Sequence, residues 1–359
     1  MKIGIITVHR AYNYGSVLQC YALQEYLKSL GHDVWVVDYR QPWTEAVYKP
    51  FSLYFIRKRI SHPREIFNYI KKYNSRKYLA LKRKTVFSSF MNRFRLTKSC
   101  YNVDDIPQDF DVYIIGSDQL WSHTCFGGED KVYLGFFNHK INTKIIGYAL
   151  SSNTNSLNIF GKRRLSQIIS NFDSLSVRED FIAGYIYENL GKDIPVVLDP
   201  TLLTNTNLWD SLINDDWKDR NYIAIYQARN VIGNPTYLKD KAQNFANRLK
   251  CEVIDLTPMT YSVEDFVSII KYARYVLTTS FHATVFSLIM ETPCYAIKLN
   301  DGFDGRYIDL LKSLGIENEI VDKDFDTIEI EEIDFVFAKQ NLNKLKQASI
   351  NFLKNSLVC

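Results

Sequence analysis

The sequence predicts an α/β protein built as two Rossmann-like domains that face each other across a cleft. Short apolar runs alternate with helix-period segments along nearly all of the 359 residues, the pattern of parallel sheets with crossover helices. The alternation occurs twice, in halves of similar size separated by a polar stretch at 204–220. Several apolar runs also end in compact polar clusters, at the strand ends where such sheets bind ligands.

The elements follow in order. Lys2–Val8 reads as a strand, His9–Gly15 as a polar turn, Ser16–Leu30 as a helix stopped by Gly31, and Asp33–Tyr39 as a second strand. That is a parallel unit with its helix crossing the sheet. Residues 51–100 depart from the alternation. They carry helical periodicity and a run of bases, and we read two or three basic amphipathic helices leaving the first sheet. Strands return at Asp111–Ile115, Lys144–Leu150, Ser174–Val177 and Val196–Leu198, with helices near 160–171 and after Glu179. The second half repeats the theme. Its strands are Tyr222–Gln227, Cys251–Leu256, Tyr275–Thr279 and Cys294–Ile297. Its helices are Tyr237–Arg248, Val263–Ile270, His282–Met290, Arg306–Leu314 and a polar tail at 338–355. We place an N-terminal domain at 1–203, carrying the excursion 51–100, and a C-terminal domain at 204–359 ending in that helix.

Composition is that of a globular chain, with 46% apolar and 23% charged residues. The net charge of +4 hides an asymmetry: residues 51–100 hold 14 Lys or Arg against the single acid Glu65, and the remainder is acidic overall. One strongly basic segment points to an anionic partner. The six cysteines form no CxxC pair, and no His stands at metal-ligand spacing from them, so no metal site is expected. Cys20 and Cys294 lie in apolar runs and read as buried thiols. The N-terminus turns polar too soon for a signal peptide, and no apolar stretch approaches membrane-spanning length. The chain reads as cytosolic.

The polar clusters at strand ends are the candidate site. His9 to Ser16 follow the first strand, Gly116-Ser117-Asp118-Gln119 the third, and Ser280-Phe281-His282 a strand of the second half. Two of these lead into helix N-termini, which suit phosphate. Each also has a plain structural reading. Asn-Tyr-Gly and Gly-Ser-Asp are ordinary turn sequences, and Ser16 or Ser280 is a normal helix cap.

These residues carry a resemblance. Asn13-Tyr14-Gly15-Ser16-Val17-Leu18-Gln19 and the segment from Asp111 to Trp121 resemble motifs of the polysaccharide pyruvyl transferase family. Tyr148-Ala149-Leu150-Ser151, Ser176-Val177-Arg178-Glu179, Leu198-Asp199-Pro200-Thr201 and Thr279 to Ser287 follow in the family's order, and Arg306 fits as well. None of these motifs falls in residues 51–100. Ser280-Phe281 stands where some relatives have Arg-Leu, and Ser152-Asn153 where Phe-Gly is expected.

The resemblance implies a GT-B-like fold, phosphoenolpyruvate as donor substrate, a saccharide acceptor and a cyclic pyruvyl ketal as product, in cell-surface polysaccharide synthesis. Such a reaction needs an acid, a base and groups for two anions, with no metal or further cofactor. His282, whose ordinary pKa lies near neutrality, and Asp118 are the expected acid–base residues. Asn13, Gly15, Ser117, Gln119, Ser151, Arg178, Ser280 and Arg306 are expected to bind substrate, the arginines because guanidinium grips carboxylate and phosphate in a fork. Arg178 has the alternative of pairing with Glu179 or Asp180, and Arg306 with Asp304 or Asp309. Arg10, Arg229 and Lys298 are weaker candidates. An acceptor carried on a lipid at the inner membrane face gives the basic excursion a use, with Phe51, Tyr54, Phe55 and Ile56 beside Arg57-Lys58-Arg59 against anionic lipid. No nucleic-acid motif is present. A nucleotide-sugar glycosyltransferase and a non-catalytic sugar- or phosphate-binding protein are the two competing readings.

Overall fold

The computed structural model describes residues 1–58, 60–229, 234, 236–325 and 333–358, with the side chains of 55, 58 and 155 left aside. It divides into two units: Met1–Pro200 together with Asn351–Cys359, and Thr201–Ile350. The sequence reading put the break after 203 and the whole tail in the second domain. The structure assigns the last residues of the tail to the first unit.

The first unit holds five parallel strands, β1 (Lys2–Ile6), β2 (Asp33–Val36), β3 (Val112–Asp118), β4 (Lys144–Leu150) and β5 (Ser174–Val177), in the order β2-β1-β3-β4-β5. Strands covered on both faces need continuous apolar runs. Ile3, Ile5, Ile6, Ile114 and Ile115 are accordingly without exposure. Helix Tyr14–Ser29 crosses from β1 to β2, with Asn13 as its cap accepting from the Ser16 amide. The expected strand at Val196–Leu198 reduces to one bridge, Val177 to Val196. The excursion forms helices Leu53–Lys58, Pro63–Lys71 and Tyr73–Met91, preceded by Pro42–Tyr48.

The second unit repeats the plan. Its strands are β6 (Tyr222–Tyr226), β7 (Glu252–Asp255), β8 (Tyr275–Thr278), β9 (Cys294–Lys298) and β10 (Ile320–Asp322), all parallel, in the order β10-β9-β8-β6-β7. Counted from its own first strand, this is the same 2-1-3-4-5 order as in the first unit. Ile223, Ile225, Leu277 and Ile297 pack against Leu238 and Phe245 of helix Tyr237–Leu249. β10 has no counterpart among the expected strands, because three residues are too few to show a period.

In both sheets the chain reverses direction of winding beside the first strand, between β1 and β3 and between β6 and β8. That switch point opens a crevice at the carboxyl ends of the strands. Among the described residues no helix is long and apolar enough to cross a membrane.

Candidate active site

The switch point of the first unit is occupied by Asp118. Its backbone sits at φ +95°, a region side chains rarely adopt, at the end of β3. Gly116, two residues earlier, sits at φ +128°, where any Cβ would clash with the Tyr148 carbonyl. Glycine there lets β3 pass close to β4 and aims Asp118 out of the strand end. Ser16 Oγ donates to Asp118 Oδ2 at 2.8 Å, and the Gln119 amide donates to Oδ1 at 2.8 Å. Asn13 caps the helix that carries Ser16, so its side chain sets the position of the hydroxyl that fixes the carboxylate. Gly15 lies buried in that first turn. Beside Asp118, Gln119 Nε2 and Trp121 Nε1 are buried with no hydrogen-bond partner among the described residues. An unmet buried donor costs about 1–3 kcal/mol.

Three residues expected to touch substrate are instead turned inward. Arg178, its side chain 3% exposed, gives Nε to Glu179 Oε1 at 3.0 Å and Nη1 to Asp199 Oδ2 at 2.7 Å. Its Nη2 donates to Ser151 Oγ at 2.9 Å. Ser151 Oγ donates in turn to Glu179 at 2.7 Å, and Ser117 Oγ lies 3.0 Å from Asp199 Oδ2. Ser117, Ser151 and Glu179 have no exposure. Burial acts to lower the Arg178 pKa, but Glu179 and Asp199 outweigh it and hold the guanidinium charged. One cation thus serves two buried acids, and the network ties the ends of β3, β4 and β5 together behind Asp118. The alternative of an Arg178–Glu179 pair is the one observed, and Asp199 is a partner the sequence reading did not assign.

A second cluster lies at the ends of β1 and β2. Asp38 accepts from Arg10 Nε at 2.7 Å and Nη2 at 2.9 Å, from Ser99 Oγ at 2.7 Å, and from Arg40 Nε at 3.2 Å. His9 Nε2 stands 3.0 Å from it. Burial raises the Asp38 pKa, and the hydrogen bonds from His9, Arg10 and Ser99 more than offset that, holding it well below the usual carboxylate range. The sequence reading had His9 and Arg10 among the polar residues after the first strand, and missed Asp38, Arg40 and Ser99.

In the second unit, Ser280 caps helix Phe281–Met290, accepting from the Ala283 amide at 3.3 Å. His282 lies in the first turn, 7% exposed, with its ring edge-on to Phe281. Arg306 is half-buried, giving Nε to the Phe303 carbonyl at 3.2 Å. Asp304, one of the two partners offered above with Asp309, is bound by Arg229: Nη2 donates to Asp304 Oδ1 at 2.7 Å and to Tyr307 Oη at 3.0 Å. Arg229 also bonds Asp301 and the Thr279 carbonyl. Burial raises the Asp304 pKa, but Tyr307 and Arg229 overcome that and keep it low. Arg229 therefore fixes the loop after β9 to the end of β8. Among the described residues no group of three His, Cys, Asp or Glu side chains is arranged to hold a metal.

Solved structures share this architecture. A putative UDP-N-acetylglucosamine 2-epimerase from Listeria monocytogenes matches with a TM-score of 0.50 at 12% identity, over 97% of this chain and 90% of that one. An alpha-glucosyltransferase in complex with UDP and DNA gives 0.48 at 10% identity, over 98% and 90%. UDP-GlcNAc 2-epimerase from Methanocaldococcus jannaschii gives 0.44 at 13% identity, over 98% and 93%. At such identities a likeness speaks for fold alone, and the first of these agrees with two parallel-sheet Rossmann-like domains. Among curated proteins nothing matches the sequence. The family model of polysaccharide pyruvyl transferases matches residues 13–301, which takes in Asp118, Arg178 and His282. On that match, this chain belongs to the polysaccharide pyruvyl transferase family.

Proposed function

We propose that the chain transfers the pyruvyl group of phosphoenolpyruvate to a saccharide as a cyclic ketal, in the building of a cell-surface polysaccharide on the cytoplasmic side of the membrane. The observation that carries this is Asp118, a carboxylate held by Ser16 and the Gln119 amide at the switch point of its sheet, within a chain of this family.

Ketal formation begins with a proton delivered to the methylene carbon of the donor. The adjacent carbon gains oxocarbenium character and a sugar hydroxyl adds to it, losing its proton to a base. Phosphate leaves as the second hydroxyl closes the ring. The two hydroxyl protons balance the one gained by the methyl group and the one gained with the departing phosphate. Asp118 serves as the base for the hydroxyl, with Gln119 Nε2 as a donor to the acceptor. His282 serves as the acid, or as the cation that receives phosphate beside the amides of its helix N-terminus. Arg306 takes the donor's carboxylate. Arg178 is a positioning residue, since its donors are committed to Glu179, Asp199 and Ser151. The reaction needs no cofactor. The basic helices 51–100 give the enzyme a peripheral seat on anionic lipid.

The test is turnover of phosphoenolpyruvate with a panel of simple and lipid-linked glycosides, following phosphate release and the mass gain of a pyruvyl ketal. Both signals are expected, with His282→Ala and Asp118→Asn each lowering the rate by about 10²–10⁴ while the fold is kept. No turnover with any acceptor, together with a thermal shift on adding UDP or GDP, overturns the reading in favour of nucleotide-sugar transfer. Sugar binding without turnover in any background indicates a binding protein.

A further inference from the structure

A cavity of about 650 Å³ opens in the first unit between the loop after β1, helix Pro42–Tyr48 and helix Tyr73–Met91. Its lining falls outside the motifs quoted above, and it is shared between the segment from Arg40 to Pro50 and the excursion, which the sequence reading assigned to anionic lipid. Its size is that of a site for a small organic molecule rather than for one ion.

Its lining is strongly biased. Four cations face it, Arg10, Arg40, Lys49 and Lys84, against the single acid Glu45. Two of the cations are held in place from behind, because Arg10 and Arg40 both bind the buried Asp38. Glu45 is shared by Arg40 Nη1 at 3.4 Å and Lys49 Nζ at 3.6 Å, and Lys84 has no ion pair among the described residues. Guanidinium groups anchored on Asp38 beside lysine ammonium groups suit an oxyanion. The remaining wall is aromatic: Tyr12 and Tyr48 are partly exposed, with ring centroids 5.3 Å apart and edge-on. Tyr12 is braced by Phe87 at 5.8 Å. Flat amphipathic rings next to hydroxyls and cations match a sugar ring that bears a charge.

Tyr12 is also one residue before Asn13, the cap of the helix whose Ser16 holds Asp118. A ligand on Tyr12 is therefore covalently adjacent to the segment that positions the candidate base. We infer that this cavity is a subsite for a saccharide carrying an oxyanion, a phosphate or a carboxylate, and that it selects an acidic acceptor. As an acceptor subsite it rests on the transfer reading above; as a binding site it stands without it.

The experiment is calorimetric titration of the full chain with glucose 1-phosphate, glucuronate, glucose and inorganic phosphate. At least one of the two acidic sugars is expected to bind, and to bind better than both glucose and phosphate. The better of the two identifies the oxyanion. Lys84→Glu, an exposed position on a helix surface, is expected to weaken that binding about tenfold or more, with Lys49→Glu acting in the same direction. Tyr12→Ala is expected to erase the preference over inorganic phosphate. Unchanged affinity in both charge variants, or phosphate binding as tightly as the acidic sugars, overturns the proposal. Displacement of the sugar by phosphoenolpyruvate overturns it as well, by moving the ligand to the donor site. Binding is read without turnover, so a chain that never consumes phosphoenolpyruvate still passes or fails this test on its own terms.

Discussion

Residues that share a strand end divide here between holding and reacting, and burial tells them apart. Arg178 is the sharpest instance. Its position after an apolar strand makes it a candidate for the donor, with a pair to Glu179 or Asp180 as the alternative the sequence leaves open. Enclosure decides for the pair. Removing the guanidinium leaves two acids, Glu179 and Asp199, buried without their counter-charge. Arg178→Ala is therefore expected to lower unfolding stability by about 3–5 kcal/mol, read from the urea midpoint. Arg178→Lys should recover little of it, because an ammonium cannot reach three partners in a fork. A stable Arg178→Ala protein that loses only its affinity for phosphoenolpyruvate would return Arg178 to the substrate. Asp38 makes a second case, with a definite sign. Its native pKa is held below the unfolded value near 4. The native state therefore binds its proton less readily than the unfolded chain. Its contribution is complete above about pH 4 and is lost as pH falls below that. Asp304 and Asp265 act in the same direction, while Asp130, pushed up by burial, opposes them. The melting temperature is expected to drop on acidification below about pH 4. Asp38→Asn should melt lower at neutral pH yet show a flatter acid limb; a limb as steep as wild type sinks the assignment.

Elements were legible where their period ran long. The helix after β1, the helices of the second unit and strands β4 and β5 lie at or near the expected bounds, because apolar periods and a cap such as Ser280 are local signals, although the first helix is capped by Asn13 and not by Ser16. What stayed hidden was tertiary. The pairing of Asp38 with Arg10, Arg40 and Ser99 joins residues up to 61 positions apart, and no local pattern reports it. The excursion was legible as basic helices, but its apolar side was placed elsewhere. The expected membrane contact used Phe51, Tyr54, Phe55 and Ile56 beside Arg57-Lys58-Arg59. Of these, Arg59 and the side chains of Phe55 and Lys58 lie outside the described residues. The structure adds helix Pro63–Lys71, where Phe67 is 66% and Ile70 54% exposed, with Arg64 and Lys71 on its polar side. Tyr69 is its one buried residue. A short amphipathic helix with its apolar face bare and bases beside it is suited to the headgroup layer of an anionic membrane. The protein is expected to sediment with vesicles containing phosphatidylglycerol and not with phosphatidylcholine alone, the more so at low salt. Phe67→Glu with Ile70→Glu should abolish this. Equal sedimentation of that double variant removes the helix from the contact, and loss of a dimer in its place makes the face a surface for a second copy.

At the scale of the molecule, both units use one topology, and each puts its candidate residues at its own switch point. The resemblance between halves was readable because each strand is an unbroken apolar run. The true division was not, since the chain returns to the first unit only at its end. Residues from Asn351 onward belong with Met1–Pro200, although a single helix, Phe335–Leu357, carries them. A polar amphipathic tail gives no sign of which core it serves. The contacts do: the Phe352 ring lies tilted against Tyr148 of β4, centroids 6.2 Å apart, Lys144 at the start of β4 donates to the Val358 carbonyl, and Leu353 is fully buried. Tyr148 in turn bonds the Leu198 carbonyl, next to the acid that holds Arg178. The tail thus supports the strand behind Asp118 from the far end of the sequence. Ending the chain at Ile350 is expected to cost the first unit its stability before the second. Hydrogen exchange should show β4 and β5 losing protection while β6 and β8 keep theirs. Phosphate release should fall with the loss in β4, although no residue proposed to touch substrate is removed. Uniform loss of protection across both sheets, or loss beginning at β8, would mean that the tail belongs to the second unit after all.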